Sequence, residues 1–352
     1  MVCEKFLVGI VKLKRGGELS RKFFSCFICS VAIFSLMACG NHREFEIPQT
    51  DGMGWFKGNT HTHTTRSDGD SPPEVVARWY KEHGYRFLVL SDHNVFTDPT
   101  NLSTLVDSAF LLIPGEEITT SFHKKPVHIN GLNLSQLLNP IVDSSLVGTI
   151  QKNVDAIRAV KGVPHINHPN FRWAFSQNEL LQINNDQLLE IFNGHPLVNN
   201  FGGEGWPSME QVWDHLLTNG KKIYGIAVDD AHHFQGEFAP ARSNPGRGWV
   251  VVRARNLAAR ELVENLDNGL FYASTGVELS DIIVNADSLE IRIAPHGDFK
   301  FRTEFIGSKG KVLAQVETNP AIYRLEGGEA YVRAKVYDSG GSVAWVQPVF
   351  VR

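Results

Sequence analysis

Cysteine is confined to the first 39 residues of this sequence. The four cysteines are Cys3, Cys26, Cys29 and Cys39. The chain beyond them therefore has no thiol for a disulfide framework or a thiolate metal site. The composition, with 42% hydrophobic and 20% charged residues, is that of an ordinary globular protein. It excludes a disordered chain, a collagen and a polytopic membrane protein.

The amino-terminal segment has the pattern of a secretion signal. Arg21 and Lys22 precede an apolar run over 23–38 that is too short to span a bilayer comfortably, and the run ends in Leu-Met-Ala-Cys at 36–39. We expect a bacterial lipoprotein signal peptide over residues 1–38, with cleavage before Cys39 and lipidation of its thiol. The protein would then be anchored in the cell envelope, at the outer membrane or facing the periplasm. An uncleaved anchor helix or a misplaced start codon is the alternative.

A basic surface is also lacking. Residues 1–38 contain six of the 34 Lys and Arg and two of the 38 Asp and Glu, which leaves 28 basic against 36 acidic residues. An acidic chain without a local basic stripe repels phosphate backbones. Nucleic acid is therefore not an expected partner.

Short apolar runs alternate with helical patterns between residues 55 and 276. Strands are predicted over 55–60, 87–91, 110–114, 127–131, 163–167, 187–192 and 222–228, and helices over 72–83, 149–161, 208–219 and 257–268. Ser71 and Glu74 have the spacing of a capping box at the start of the first helix. Strands that alternate with helices indicate an α/β fold, either a parallel sheet or an α/β barrel. The polar segment 39–54 is predicted to be a tether.

The pattern changes near residue 276. Alternating short runs follow over 281–284, 289–293, 299–306, 312–316, 331–338 and 344–351, separated by turn residues. This spacing predicts a small β-sandwich over 277–352 that packs against the main domain.

Histidine is abundant, and its positions are informative. Most of the 14 histidines lie between residues 61 and 233. Residues that can bind metal occur at or beyond the end of nearly every predicted strand, and His128 lies within the fourth strand. In strand order these residues are His61, His63 and Asp68; His93; Glu116 and Glu117; His128; His165 and His168; His195; and Asp229, Asp230 and His232. The carboxyl ends of the strands hold the active site in α/β barrels. Histidine and carboxylate ligands without thiolates suit Zn, Mn or Fe.

The order of these motifs resembles the PHP family, the polymerase and histidinol phosphatase superfamily of metal-dependent hydrolases. The matching segments are HTHTTRSDG at 61–69, SDH at 91–93, GEE at 115–117, HP at 168–169 and DDAH at 229–232. The chain also resembles a branch of this family with a secretion signal and a C-terminal β-domain. The resemblance covers about 55–276 and implies a distorted seven-stranded (β/α)7 TIM-like barrel that holds two or three divalent metal ions. The implied ligands are His61, His63, Asp68, His93, Glu117, His128, His168, Asp230 and His232.

Three of these assignments have a close competitor. Glu116 competes with Glu117, His165 with His168, and Asp229 with Asp230, and the family spacing favours the second of each pair. The resemblance also places His195 where a substrate-binding group or a residue behind the ligands is common.

The resemblance implies a phosphoesterase that acts on a small-molecule ester. Asp230, His232 and His195 are the predicted catalytic residues, and Arg66, Arg172 and Arg242 are candidates for a phosphate clamp. The alternative is a hydrolase of carboxylic or carbamic esters or amides, favoured if an apolar pocket is lined by Trp173, Phe175 and Trp206. A non-catalytic envelope protein that binds metal or glycan is the third possibility.

Overall fold

The computed structural model describes residues 43–352. The predicted signal peptide and the lipidated Cys39 lie outside the described residues. Within the described residues, no helix has the length and apolar character needed to cross a membrane.

The first half of the described chain contains seven strands and four helices. The strands are β1 (Gly54–Asn59), β2 (Phe87–Leu90), β3 (Leu111–Phe122), β4 (Lys125–Leu132), β5 (Val163–Ile166), β6 (Leu188–Asn193) and β7 (Tyr224–Val228), and the helices are α1 (Pro73–Glu82), α2 (Leu146–Ala159), α3 (Gln177–Leu180) and α4 (Met209–Thr218). All seven predicted strands and the first three predicted helices are present, with shifted ends. Short 3-10 helices lie at Pro99–Leu102 and Phe171–Trp173.

The second half is mostly β-structure. It contains β8 (Trp249–Ala254), α5 (Ala259–Asp267), β9 (Phe271–Ser274), β10 (Leu279–Val284), β11 (Ser288–Ile293), β12 (Phe301–Gly307), β13 (Lys311–Val316), β14 (Ala321–Arg324), β15 (Tyr331–Asp338) and β16 (Val343–Phe350), with a 3-10 turn at Ser308–Gly310. The helix predicted over 257–268 corresponds to α5. Strands β8, β9 and β14 were not predicted.

Thirteen of these strands form one large sheet, in the order β13-β12-β15-β16-β9-β8-β1-β2-β3-β4-β5-β6-β7. The α/β class is therefore confirmed, with mixed strand directions. Strands β1, β2 and β3 are parallel, as are β5, β6 and β7, but β4 is antiparallel to both β3 and β5. The prediction of a parallel sheet is wrong for β4, because β3 and β4 are joined by only two residues. His123 and Lys124 both have positive φ, 46° and 68°, which is the geometry of a tight hairpin, whereas a parallel connection needs a crossover.

The chain beyond β7 meets the chain beyond β1. Thr62 and Ala231 form a parallel bridge, with His63 N donating to Ala231 O at 2.9 Å and Asp230 N donating to His61 O at 3.0 Å. The segments that follow the carboxyl ends of β1 and β7 are thus hydrogen-bonded to each other. No strand-to-strand ladder joins β7 to β1 in the described residues, so a closed barrel stays a prediction.

The carboxyl-terminal strands are divided between two sheets. Strands β12, β13, β15 and β16 extend the large sheet through β9, while β10, β11 and β14 form a separate three-stranded sheet. The side chain of Gln347 ties β16 to β7, because it accepts from Gly225 N and donates to Gly225 O, both at 2.8 Å. At the other end of the chain, Phe45 lies in the predicted tether but is fully buried and pairs with Val351.

Serine side chains cap the amino ends of α2, α3 and α4. Ser145 Oγ accepts from Gly148 N at the start of α2, and Ser208 forms a capping box at the start of α4. The capping box predicted at Ser71 is wrong. Ser71 Oγ donates to Asp70 instead, and Pro72 precedes α1 without a side-chain cap.

Candidate metal centre

Two histidines leave the end of β1 on the same side of the chain. His61 and His63 are separated by one residue, and the backbone between them lies along the extension of β7. Residues two apart in an extended chain point the same way. Their Nε2 atoms lie 3.1 Å apart, and both side chains are fully buried. Two ring nitrogens are thereby directed at one region of space.

Glu117, in β3, lies at the centre of the site. Its Oε2 is 3.5 Å from His61 Nε2 and 3.4 Å from His63 Nε2. Its Oε1 is 3.0 Å from His128 Nδ1 and 3.5 Å from His168 Nε2. Its Oε2 also lies 2.7 Å from His93 Nδ1. One buried carboxylate therefore contacts five imidazoles, and its two oxygens can serve two different cations.

Asp230 closes the site from the end of β7. Its φ of 48° is unusual for a residue other than glycine and turns the carboxylate inward. Oδ1 lies 3.4 Å from His61 Nε2 and 3.3 Å from His63 Nε2. Asn193 holds the other oxygen by donating from Nδ2 to Asp230 Oδ2 at 3.1 Å.

Three further side chains form the outer part of the site. Asp68 Oδ2 lies 3.5 Å from His93 Nε2, and Asp68 Oδ1 lies 3.3 Å from His232 Nε2. The Asp68 side chain is 55% exposed, whereas those of His93 and His232 are 25% and 13% exposed. This group therefore lies at the mouth of the site.

The structure brings all nine predicted ligands together in four overlapping clusters. The clusters are His63, Asp68, His93 and His232; His61, His63 and Asp230; His61, Glu117 and His168; and His93, Glu117 and His128. Within each cluster the ligand atoms lie within 4.8 Å of one another.

Two carboxylate oxygens that lack a hydrogen bond indicate that these residues fit a metal ion. Glu117 Oε2 and Asp230 Oδ1 are buried and make no hydrogen bond of acceptable geometry to any described residue. Buried charge of this kind needs a compensating partner, and a divalent cation supplies one. The nitrogen and oxygen donors suit Zn, Mn or Fe, so the residues fit such a cofactor. The assignment of each residue as a ligand stays a prediction.

The competing acidic residues point away from the clusters. Asp229 is fully buried, but its Oδ1 accepts from Gly248 N at 2.9 Å and its Oδ2 accepts from Tyr80 Oη at 2.8 Å. Glu116 Oε1 accepts from Leu138 N at 2.6 Å. Both carboxylates are thus used to hold backbone and helix in place, and neither occurs in a cluster.

Glu190 is the residue that the sequence analysis missed. It lies in β6, 1% exposed, and its Oε1 is 2.6 Å from His61 Nδ1 and 3.2 Å from His165 Nε2. Its Oε2 accepts from His168 N and from Asn193 Nδ2, each at 2.8 Å. A carboxylate bonded to Nδ1 of a histidine orients the ring and leaves Nε2 free for a metal. The available signal was a single charged residue inside the apolar strand sequence LLEIFN.

The clusters open into a small cavity of about 120 Å³. Phe171, His195 and Val198 complete its lining. The His195 ring centroid lies 5.4 Å from that of His232. The predicted catalytic histidine therefore reaches the site, and no arginine lines this cavity in the described chain.

The predicted phosphate clamp is only partly assembled. Arg172 packs over Phe171, with its guanidinium carbon 5.3 Å from the ring centroid, and so lies beside the cavity. Arg242 donates to Gln235 O at 2.8 Å and lies 3.5 Å from Asp70 Oδ2. Arg66 is exposed. Only Arg172 is placed next to the cavity lining.

The apolar pocket considered for the alternative substrate does not form at the metal site. Trp173 stacks on Trp206, with ring centroids 5.2 Å apart, and Phe175 is buried in the core behind them. None of the three lines the cavity, whose apolar lining comes from Phe171 and Val198 instead.

The carboxylates change the protonation of the imidazoles in the metal-free protein. Burial alone would lower the pKa of His61, but the charges of Asp230 and Glu117 raise it well above its usual value. Burial likewise opposes protonation of His93, yet Glu117 and other neighbours raise its pKa to about 10. Burial dominates at His63 and lowers its pKa to about 4. Protons thus neutralise part of the carboxylate charge that a metal would neutralise.

No protein-family model and no curated protein matches the sequence. Several solved structures are similar to it. A two-domain protein from Bacteroides vulgatus, containing a predicted PHP-like metal-dependent phosphoesterase, has 17% identity and a TM-score of 0.49, with 84% of this chain and 93% of that chain covered. A protein from Bifidobacterium adolescentis, proposed to be a metal-dependent phosphoesterase, has 13% identity and a TM-score of 0.38, covering 53% of this chain and 89% of that chain.

The third similar structure is an amidohydrolase from Chromobacterium violaceum with bound sulfate and no metal. It has 13% identity and a TM-score of 0.36, and the alignment covers 53% of this chain and 93% of that chain. These three neighbours thus comprise two predicted or proposed metal-dependent phosphoesterases, one of them PHP-like, and an amidohydrolase. At TM-scores below 0.5, these likenesses do not establish a shared activity.

Proposed function

We propose that this protein is a metal-dependent hydrolase of the PHP type that cleaves a small phosphate ester. The observation that carries the proposal is the set of four overlapping ligand clusters, three of which contain Glu117 or His61, near the carboxyl ends of the parallel strands. A single structural ion needs about four ligands. Nine side chains in overlapping clusters instead provide for two or three ions side by side, an arrangement common in phosphoester hydrolysis.

The residues of the site have separable roles in this proposal. Divalent ions bound here would supply Lewis acidity and lower the pKa of water toward neutrality. His61, His63 and Asp230 form the deepest part of the ligand set, and Glu190 fixes the ring of His61. His195 and His232 lie at the open side, where they can donate a proton to the leaving group or accept one from water.

A specific observation keeps a second candidate open, a hydrolase of carboxylic or carbamic esters or amides. The described cavity lining has no arginine, and two of its non-ligand members, Phe171 and Val198, are apolar. Such a wall accommodates an uncharged acyl or carbamoyl group as well as a phosphate. The phosphate ester remains the first proposal because several cations in one site can neutralise a phosphate without arginine.

Metal analysis followed by paired assays tests this function. Protein purified without chelator is measured for metal content and then assayed on an aryl phosphate and on an aryl ester or carbamate at matched metal loading. The double variant His61→Ala/His63→Ala should lose most bound metal and all hydrolysis. The control His83→Ala/His296→Ala changes two histidines outside the clusters and should retain both.

The results separate the candidates. Turnover of the phosphate alone supports the phosphoesterase, and turnover of the carbon ester alone replaces it with the second candidate. Bound metal without turnover of either class would favour the non-catalytic envelope protein. Full metal content in the His61→Ala/His63→Ala variant would show that the ligand assignment is wrong.

We also propose that the chain is lipidated at Cys39 in the bacterial envelope, that the seven strands form a distorted barrel and that residues 277–352 form a β-sandwich. The barrel is supported by the bridge between Thr62 and Ala231. The sandwich is supported by the packing of Leu289 and Ile291 from β11 with Phe305 from β12 in one core.

A further inference from the structure

The turn that follows β6 carries His195 into the wall of the metal-site cavity. Pro196 lies at the second position of this turn, which Val198 N closes by donating to His195 O at 3.1 Å. Proline suits that position because its ring fixes φ near the value that such a turn requires. The backbone N of His195 also donates to Asn193 Oδ1 at 2.8 Å, and Asn193 bonds to Asp230 in the metal centre. The turn is therefore anchored to the metal centre.

The ring of His195 accepts a hydrogen bond from this turn. Leu197 N lies 3.2 Å from His195 Nδ1 and donates to it. A backbone amide always carries its hydrogen, so Nδ1 must be the ring nitrogen without one. A neutral imidazole has a single N–H group, and the proton of His195 is therefore on Nε2. Protonation of both nitrogens would place the Nδ1 hydrogen against the N–H of Leu197.

The predicted metal ligands nearby have the opposite arrangement. His61 Nδ1 is bonded to Glu190 Oε1 at 2.6 Å, and His232 Nδ1 is bonded to the carbonyl oxygen of Asp230 at 2.9 Å. Both partners are acceptors, so they hold the hydrogen on Nδ1 and leave a lone pair on Nε2 for a metal ion. The His195 ring lies beside that of His232, with centroids 5.4 Å apart, but its Nε2 has no lone pair to offer.

The Nε2 atom of His195 is free to meet a bound molecule. It makes no hydrogen bond to any residue that the structure describes, and unlike Glu117 Oε2 it is not sealed from solvent. Because Nδ1 is bonded to the turn, Nε2 is the nitrogen that is left for the cavity. No arginine lines this cavity in the described chain. His195 is therefore the residue of the described lining that offers a phosphate group an N–H beside the metal ligands.

We propose that His195 donates a hydrogen bond from Nε2 to an anionic oxygen of the phosphate group bound at the metal centre. The proposal rests on the hydrolase function proposed above and narrows the role of this residue. Since Nε2 already has its hydrogen, His195 neither binds metal through that atom nor accepts a proton from water. The neutral ring keeps its hydrogen throughout the reaction and stabilises the charge that develops on oxygen in the transition state.

NMR spectroscopy measures this tautomer directly. In protein labelled with nitrogen-15 histidine, proton–nitrogen correlation spectra of the rings separate protonated from unprotonated nitrogens. The signals that are missing in His195→Asn identify His195. In both the metal-free and the zinc-loaded protein, Nε2 of His195 should be the protonated nitrogen. A hydrogen on Nδ1 instead would overturn the proposal.

Two substitutions separate the roles of the ring nitrogens. The amide nitrogen of glutamine lies three bonds from Cβ, as Nε2 does, whereas that of asparagine lies two bonds from Cβ, as Nδ1 does. His195→Gln therefore keeps a donor near the position of Nε2. His195→Asn removes that donor but still offers an oxygen to Leu197 N. The matched control is His83→Asn, at an exposed histidine outside the metal clusters.

Inorganic phosphate is titrated into each zinc-loaded protein, and kcat is measured on the aryl phosphate. His195→Asn should bind phosphate about 10–100-fold more weakly and lose about 100-fold in kcat, with unchanged zinc content. His195→Gln should recover part of both losses, and His83→Asn should resemble the wild type. Loss of zinc in His195→Asn, phosphate binding equal to that of the wild type, or a His195→Gln variant no better than His195→Asn would overturn the proposal.

Failure of the proposed function gives a different result. If no ester is hydrolysed but His195 has the stated tautomer and His195→Asn weakens phosphate binding, the hydrolase is refuted and the donor role is retained. If an ester is hydrolysed with the same kcat by His195→Asn and the wild type, the hydrolase is retained and the donor role is refuted.

Discussion

Replacing Glu190 by glutamine should weaken metal binding without removing any ligand. Glu190 accepts three hydrogen bonds, one on Oε1 from His61 Nδ1 and two on Oε2 from His168 N and Asn193 Nδ2. If the glutamine amide oxygen takes the place of Oε1 near His61 Nδ1, its NH2 group faces both of these donors. If the amide is reversed, His61 Nδ1 loses its acceptor. In either orientation of the amide, at least one hydrogen-bond donor faces another donor instead of an acceptor.

The expected size of the effect follows from these contacts. Loss of a carboxylate that orients a metal-bound histidine typically costs about 10–100-fold in metal affinity or activity. Each buried donor left unpaired lowers the free energy of unfolding by about 1–3 kcal/mol. We therefore expect Glu190→Gln to bind metal at least tenfold more weakly and to unfold at a lower temperature.

The pH dependence separates an orienting role from a purely structural one. Glu190 is one of the carboxylates that raise the pKa of His61. Metal must displace the resulting proton, so wild-type affinity rises as the pH rises toward that pKa. With the charge removed, the His61 pKa falls and the variant reaches its limiting affinity at lower pH. The difference between wild type and variant should be largest at high pH.

The assay is a metal titration with a competing chelator across this pH range. Glu116→Gln is the matched control, because Glu116, in β3, is also a buried carboxylate but bonds only to Leu138 N. An amide oxygen can accept that bond equally well. Unchanged metal affinity in Glu190→Gln, or an equal loss in Glu116→Gln, would refute the reasoning.

Three other outcomes are expected, two from the structure and the third from the sequence. Asp230→Asn should reduce kcat/KM far more than Asp229→Asn. The Asp229→Asn variant should mainly lose about 1–3 kcal/mol of stability, measured by chemical unfolding. A larger loss of kcat/KM in the Asp229 variant would contradict the assignment of Asp230 to the metal site. Because the pKa of His93 is raised to about 10, metal binding at pH 7 should release protons, and the metal affinity should increase as the pH rises. Calorimetry in buffers of different ionisation enthalpy measures the number of protons released. A metal affinity that does not change with pH would contradict this prediction. Cys39→Ala should leave the protein unlipidated and outside the membrane fraction, and unchanged gel migration and fractionation would count against lipidation.

The ligand set could be found from the sequence because strand ends converge. His61, Glu117 and Asp230 each lie at a strand end in the sequence, and parallel strands bring such ends to one face. Motif spacing also favoured Asp230 over Asp229, and the structure places Asp229 against backbone amides instead. Convergence of this kind depends only on the order and direction of strands.

Other features depend on contacts between distant segments. The single charge within LLEIFN does not show which residue Glu190 contacts, since its bond to His61 spans 129 residues. The antiparallel β4 depends on the two-residue turn at His123 and Lys124, which contains no glycine to signal a hairpin. The joining of β16 to β9 pairs Trp345 with Ala273, and no periodicity within either strand encodes that register.

The sharing of ligands among the four clusters limits how the centre can fill. A neutral imidazole offers a single lone pair, and the Nδ1 of His61 is already turned toward Glu190. His61 can therefore serve the cluster with Asp230 or the cluster with Glu117 and His168, but not both at once. A metal ion bound in one cluster removes a shared ligand from the neighbouring cluster. It also neutralises carboxylate charge that attracts metal ions to the other clusters. Metal uptake should be a coupled, ordered process, and no single dissociation constant will describe it.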